Sequence, residues 1–140
     1  MGLILDSSVL IAAERGKFDL EGLLEAYGDE PIRIAAVTAS ELLHGWERAP
    51  AGKRRDNRKR FVESLLKILP TIEFGLDCAR IHARLWARLE ENGSLIGAHD
   101  LLIAATCVRE RDGIATLNEK EFSRIVELTL ADCQRWVIAH

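Results

Sequence analysis

The 140-residue chain has little cysteine, proline or tyrosine: three, three and one. Cys78, Cys107 and Cys133 are odd in number and widely spaced, which excludes a disulfide framework and a zinc ribbon and fits a reducing cytosol. Three prolines and ten glycines beside 48% hydrophobic and 29% charged residues exclude a disordered or fibrous chain. Positive charge is not in excess. Nineteen Lys and Arg against 22 Asp and Glu give a net charge of -3, which rules out a histone-like coat for nucleic acid and leaves only a local patch to meet one. No apolar run nears the ~20 residues that span a bilayer, and Leu101 to Val108 is the longest. The first six residues reach Asp6 without a basic region, too soon for a secretory signal. No repeat is visible. The expectation is a single domain over residues 1–140, soluble and cytoplasmic, with no membrane partner.

What is present is alternation of short apolar runs with helical stretches. Leu3 to Leu5 reads as a strand, followed by a helix from Val9 to Glu14 that Gly16 stops. Ile32 to Val37 reads as a second strand, and Thr38-Ala-Ser-Glu41 has the spacing of a capping box opening a helix through Trp46. Lys53 to Leu69 is a basic, then apolar, helix ended by Pro70, with Thr71 to Phe74 as a third strand. Asp77 can cap a helix from Cys78 to Glu91, whose Ile81, Leu85 and Leu89 form an apolar stripe. Asp100 opens a buried helix from Leu101 to Arg111. Ile114 to Leu117 reads as a strand, Asn118 to Ile125 as a turn and short helix, and Val126 to Thr129 as a last strand. This order predicts an α/β fold: a parallel twisted sheet of four to five strands with helices on both faces. Ligands of such folds bind outside the carboxyl ends of the strands.

Acidic residues lie where that edge falls. Asp6 follows the first strand, Glu41 lies early in the helix after the second, Asp100 opens the buried helix, and Asn118 and Glu121 follow a late strand. Each has a plain structural alternative: Asp6 as a turn residue, Glu41 as the partner of Thr38, Asp100 as a cap, Asn118 as a turn residue, Glu121 on a solvated face. Together they converge. Clustered carboxylates repel and raise one another's pKa, so such a group calls for a cation. Oxygen donors without a His or Cys set favour Mg2+ or Mn2+, and Mg2+ is commonly shared with a substrate phosphate. The chemistry indicated is phosphoryl or phosphodiester transfer.

Four blocks carry a family resemblance: Leu-Ile-Leu-Asp6-Ser-Ser-Val-Leu-Ile-Ala, Ala39-Ser-Glu41-Leu-Leu-His-Gly45, Ile96-Gly-Ala-His-Asp100-Leu-Leu-Ile-Ala-Ala105, and Ala115-Thr-Leu-Asn118-Glu-Lys-Glu-Phe122. In order and spacing the chain resembles the PIN-domain ribonucleases, and among them the VapC-type toxins of toxin-antitoxin pairs. The resemblance implies a PIN-like three-layer fold and a metal-dependent endoribonuclease. In it Asp6, Glu41 and Asp100 hold Mg2+, Mn2+ can substitute, and Ser7 is a small hydroxyl residue that assists the site. The family often has Asp where this chain has Asn118, and Glu121 is the candidate for the missing charge. It further implies an RNA substrate, products with a 5'-phosphate and a 3'-hydroxyl, a cognate VapB-type antitoxin that covers the groove, and a homodimer.

Beside the acids, six of the eight residues from Lys53 to Arg60 are basic, and Arg80, Arg84 and Arg88 form a second basic row. Either can meet RNA phosphates or be an ordinary solvated face. Trp46 and Trp86 read as core or interface residues more than as base-stacking platforms, and His44 and His99 as structural. A phospho-acceptor signalling domain needs an acidic pair after the first strand and a Lys after the last, and the chain has neither. A haloacid-dehalogenase-type phosphatase needs a second Asp two residues after Asp6. The reading that competes with the nuclease is a catalytically weak or inactive PIN-fold scaffold for RNA or protein binding, which Asn118 keeps open.

Overall fold

The computed structural model describes residues 1–139. Four strands, β1 (Leu3–Leu5), β2 (Ile32–Ala35), β3 (Thr71–Ile72) and β4 (Gly113–Ala115), form a parallel sheet in the order β3-β2-β1-β4. Seven helices surround it: α1 (Ser7–Glu14), α2 (Leu20–Tyr27), α3 (Ala36–Glu47), α4 (Lys53–Ile68), α5 (Leu76–Glu91), α6 (Ala98–Glu110) and α7 (Glu119–Phe122). A 3-10 turn, Gln134–Trp136, follows. Among the described residues no helix is long and apolar enough to cross a membrane.

The two-residue period of a strand divides the core. Leu3 and Leu5 point to one face of the sheet, packed with Val9, Leu10, Leu23, Val62 and Leu65 from α1, α2 and α4. Ile4 points to the other, with Leu85 and Leu89 of α5 and Ile103, Ala104 and Cys107 of α6. Ile114 and Ala115 of β4 divide the same way. A strand buried on both faces must be apolar at every position, which is why β1 reads Leu-Ile-Leu without alternation.

The strand order places a switch between β1 and β4. From β1 the chain moves outward to β2 and β3, then returns to add β4 on the other side of β1. A crevice therefore opens beyond the carboxyl ends of β1 and β4, where Asp6 and Thr116 stand. At the opposite end Asp112 fastens the sheet. Its Oδ1 accepts the Gly2 N–H at 3.0 Å, and its Oδ2 accepts Arg33 Nη2 at 2.6 Å, while Arg33 Nη1 donates to Glu110 at 2.9 Å.

Several boundaries differ from the sequence reading. α2 was absent from it: its stretch is short and its opening carries only one strong signal, Asp19, whose side chain accepts the Gly22 N–H. Residues 126–129 make no strand of the sheet. Only an isolated bridge pairs Leu130 with Ile114, because Ile125 and Leu128 are used in packing against α6 and β4 rather than in a ladder. α3 begins at Ala36, so Thr38 lies inside the helix, its hydroxyl buried without a partner, and the capping box does not form. α5 opens from Gly75 and α6 from Gly97, so Asp77 and Asp100 sit in first turns instead of capping.

Candidate active site

Asp6 is the N-cap residue of α1, yet its carboxylate makes no cap hydrogen bond to that helix's backbone. It is 4% exposed, and its Oδ2 accepts two hydroxyl hydrogen bonds, from Ser8 Oγ at 2.7 Å and Thr116 Oγ1 at 2.8 Å. The hydroxyls are themselves oriented from behind. Ser8 Oγ accepts the Leu117 N–H at 3.0 Å, and Thr116 Oγ1 accepts the Asn118 N–H at 2.9 Å. Each hydroxyl proton is thus committed to Asp6, and the β1 and β4 edges are joined through one carboxylate oxygen. The Asp6 backbone N–H adds a bond to the Ala115 carbonyl at 2.9 Å.

Asp100 enters from the first turn of α6. Burial, then a hydrogen bond with Glu121, then the charges of Asp6, Glu121 and Glu41 raise its pKa from 3.8 to about 7. Glu121 on α7 moves the other way, held low first by its bond with Asp100. Within the pair Asp100 is the carboxyl pushed up and Glu121 the one held down. Both carboxyls lie over Gly97, where a Cβ would stand 3.5 Å from Asp100 Oδ2 and 3.8 Å from Glu121 Oε2. Asn118 Nδ2 is 3.5 Å from Glu121 Oε2, so the Asn amide leans on the carboxylate instead of replacing it.

Glu41 comes from the middle of α3. Its Oε2 lies 3.4 Å from His99 Nδ1, and its Oε1 is buried without a hydrogen-bond partner. An ionised oxygen in that position is costly unless something meets it. The failed capping box explains the freedom of this side chain, since Thr38 and Glu41 satisfy neither each other nor the helix end.

Among the described residues no three His, Cys, Asp or Glu side chains already stand around one point as a ligand set. The residues nevertheless fit a hard divalent cation. The donors are oxygens, one carboxylate oxygen is orphaned in a buried position, and the Asp100 carboxyl is pushed up by burial and by the three carboxyls beside it. Asp6, Glu41 and Asp100 are the groups able to hold it, with Glu121 beside them.

The structure thus brings Asp6, Glu41, Asp100 and Glu121 within one electrostatic cluster, with Asn118 at its rim. Ser7 stands to one side, lining a small recess with Glu14, Glu41 and Arg58. Ser8 and Thr116 were missed. Both are small hydroxyl residues next to strand ends, and the signal was there: two serines follow Asp6, and Thr116 follows β4 at the same level. The basic stretch is largely engaged within the protein. Arg55 faces Glu47 at 3.8 Å, Lys59 lies 5.3 Å over the Trp46 ring and Arg58 bonds Glu14. In the second row Arg88 grips Glu127 with two bonds of 2.7 and 2.6 Å. Trp86 is half exposed beside His82.

Comparison with known proteins matches residues 3–128 to the PIN domain. Ribonuclease VapC of Rickettsia bellii (strain RML369-C) is 37% identical over 128 residues, covering 91% of this chain and 93% of that protein. Ribonuclease VapC1 of Rickettsia felis is 35% identical over 125 residues, 89% of this chain and 91% of its own. Among solved structures, VapBC2 from Rickettsia felis bound to a DNA fragment from its promoter superposes with a TM-score of 0.85 at 28% identity, over 94% of this chain and 98% of that one.

Proposed function

Because the chain belongs to the PIN-domain family, with the VapC ribonucleases among its relatives, we propose that it is an endoribonuclease and the toxin of a VapBC-type pair. In this reading it is cytoplasmic and homodimeric, and uses Mg2+, or Mn2+ in its place, held by Asp6, Glu41 and Asp100. One observation carries the proposal: carboxyls from four separate segments, Asp6, Glu41, Asp100 and Glu121, gather at the β1–β4 edge, where burial first and then these neighbours push the Asp100 pKa up. A structural role for these side chains leaves that gathering of like charges unexplained.

A bound divalent cation supplies positive charge against the phosphate oxygens and makes water more acidic. The chain's own groups do the rest. Ser8 and Thr116 fix one oxygen of Asp6, so its other oxygen has a defined direction. Glu41 offers its unpartnered oxygen from the α3 side, and Asp100 its carboxyl from the α6 side once the proton is lost. Asp6 and Asp100 are the groups positioned to orient the attacking water and receive its proton. Glu121 takes the place of the acid that Asn118 lacks and steadies Asp100.

A VapB-type antitoxin is the proposed partner. The face between α1, α2 and α4 presents Leu20, Leu24, Phe61 and the exposed Ile68 around an open cavity of about 370 Å3, apolar surface of the kind a partner helix covers.

The test is cleavage of RNA by the purified chain free of antitoxin. Cutting with Mg2+ or Mn2+, none in EDTA, and loss of cutting in folded Asp6→Asn and Asp100→Asn support the assignment. Undiminished cutting by both variants overturns the site. A folded, inert wild type returns the scaffold reading.

A further inference from the structure

We propose that Arg58 is a phosphate-binding residue of the same site, held ready by Glu14 and given room by Gly45, and that it grips a backbone phosphate of RNA beside the carboxyls. The inference rests on the ribonuclease reading and adds to it the group that anchors the substrate.

Arg58 is on α4, and its Nε donates to Glu14 Oε2 at the end of α1 at 2.5 Å. That contact uses one of the five N–H donors of a guanidinium. The Nη1 end turns toward α3, where a Cβ on Gly45 would stand 2.9 Å from it. Any side chain at residue 45 would push the guanidinium away, so glycine is what lets Arg58 lie over α3. The space it reaches is a recess of about 80 Å3 lined by Ser7, Glu14, Glu41 and Arg58 among others. Glu41 thus belongs both to this recess and to the carboxyl cluster, and its Oε1 is the buried oxygen with no partner.

A site built of four carboxyls repels the polyanion it must bind. A cation fixed in the adjoining recess opposes that repulsion where the phosphate arrives. Arg suits the task better than Lys, because its planar fork can keep Glu14 on one edge and offer the remaining N–H groups to phosphate oxygens. Its side chain is 36% exposed and that of Glu14 is 19%, so the pair is neither buried away from substrate nor loose in solvent.

An ion pair that only ties α1 to α4 would look the same in the free protein, and the experiment separates the two. The affinity of a fluorescent single-stranded RNA is measured by anisotropy in EDTA at several salt concentrations, and KM and kcat for its cleavage are measured with Mg2+. Arg58→Ala weakens binding and raises KM about 10-fold or more, and lowers the slope of log affinity against log salt by about 0.7. Arg58→Lys recovers the slope but only part of the affinity. Glu14→Gln, which keeps an oxygen to accept the Arg58 Nε–H but removes the negative charge that competes with phosphate, tightens RNA binding. Gly45→Ala, which folds because only a flexible side-chain end must move, weakens it. Wild-type affinity and slope in Arg58→Ala overturn the proposal, as does equal weakening by Glu14→Gln and Arg58→Ala. Should the wild type cut no RNA, the ribonuclease reading fails by itself, and the anisotropy series still decides whether Arg58 holds phosphate.

Discussion

Thr116 Oγ1 donates to Asp6 Oδ2 at 2.8 Å and accepts the Asn118 N–H at 2.9 Å, so one buried hydroxyl links the strand-end acid of β1 to the loop that carries α7. Thr116 is 1% exposed. Thr116→Val keeps the shape and removes both bonds. It is expected to lower stability by about 1–3 kcal/mol and RNA cleavage by roughly 10–100-fold, the usual scale for a group that orients a metal-holding residue. Thermal melts and cleavage rates on one preparation check both.

The two serines after Asp6 are expected to separate. Ser8→Ala removes a 2.7 Å bond to the carboxylate and the acceptor for the Leu117 N–H, and loses activity about as Thr116→Val does. Ser7→Ala, whose hydroxyl lines the recess beside Glu41, has the smaller effect on kcat. Kinetics of the two single variants decide.

Asp100 makes the metal-free protein sensitive to pH. Its pKa rises from 3.8 to about 7 on folding, so the folded state binds more protons than the unfolded state, and stability falls as pH rises between those values. Asp100→Asn removes the penalty. In EDTA the variant is expected to melt roughly 2–6 °C above wild type at pH 8, with the gain gone near pH 4. An unchanged difference across that range contradicts the assignment.

Divalent cations are expected to reverse that ranking. If the site holds Mg2+ as proposed, the cation at about a hundred times its Kd is expected to add about 2.7 kcal/mol to the folded state, a rise of roughly 5–10 °C in Tm. Because Asp100 must give up its proton, the rise shrinks at pH 6 and grows at pH 8. Glu41→Gln diminishes it at every pH. Differential scanning calorimetry with and without the cation provides the comparison.

At the other end of the sheet Asp112 is the control. It is as buried as an acid of the site but wholly occupied, by Arg33 and the Gly2 N–H. Asp112→Ala removes one of the two carboxylates that Arg33 bonds and the acceptor of the Gly2 N–H, leaves Glu110 on Arg33, and is expected to destabilise by about 1–3 kcal/mol, while a destabilised but folded fraction keeps its kcat. Urea melts and active-site titration distinguish the two effects.

The acidic cluster was legible in the sequence to the extent that it rode on residue type near strand ends. Asp6, Glu41, Asp100 and Glu121 were all readable in that way, and the apolar runs Leu3 to Leu5 and Ile114 to Leu117 pointed to the edge on which they meet, although β4 itself is Gly113–Ala115. What sequence could not show was how local hydrogen bonds were distributed. Thr38 and Glu41 have capping-box spacing, but α3 starts earlier because Ala35, its N-cap residue, and Val37 pack on the core and carry the helix back to β2. Likewise Ser7 and Ser8 are equal in composition, and only helix geometry decides which hydroxyl turns to Asp6. The basic run of α4 looked like one patch, yet its members part once Glu14, Glu47 and Trp46 come within reach. Long-range partners of that kind have no local signature.

Crystals grown with Mn2+ and measured for anomalous scattering test the central claim most directly. The account requires one strong peak within ligand distance of Asp6, Glu41 and Asp100, on the carboxyl edge of β1 and β4. A peak that touches none of these three, or no peak in a folded protein at millimolar Mn2+, contradicts it.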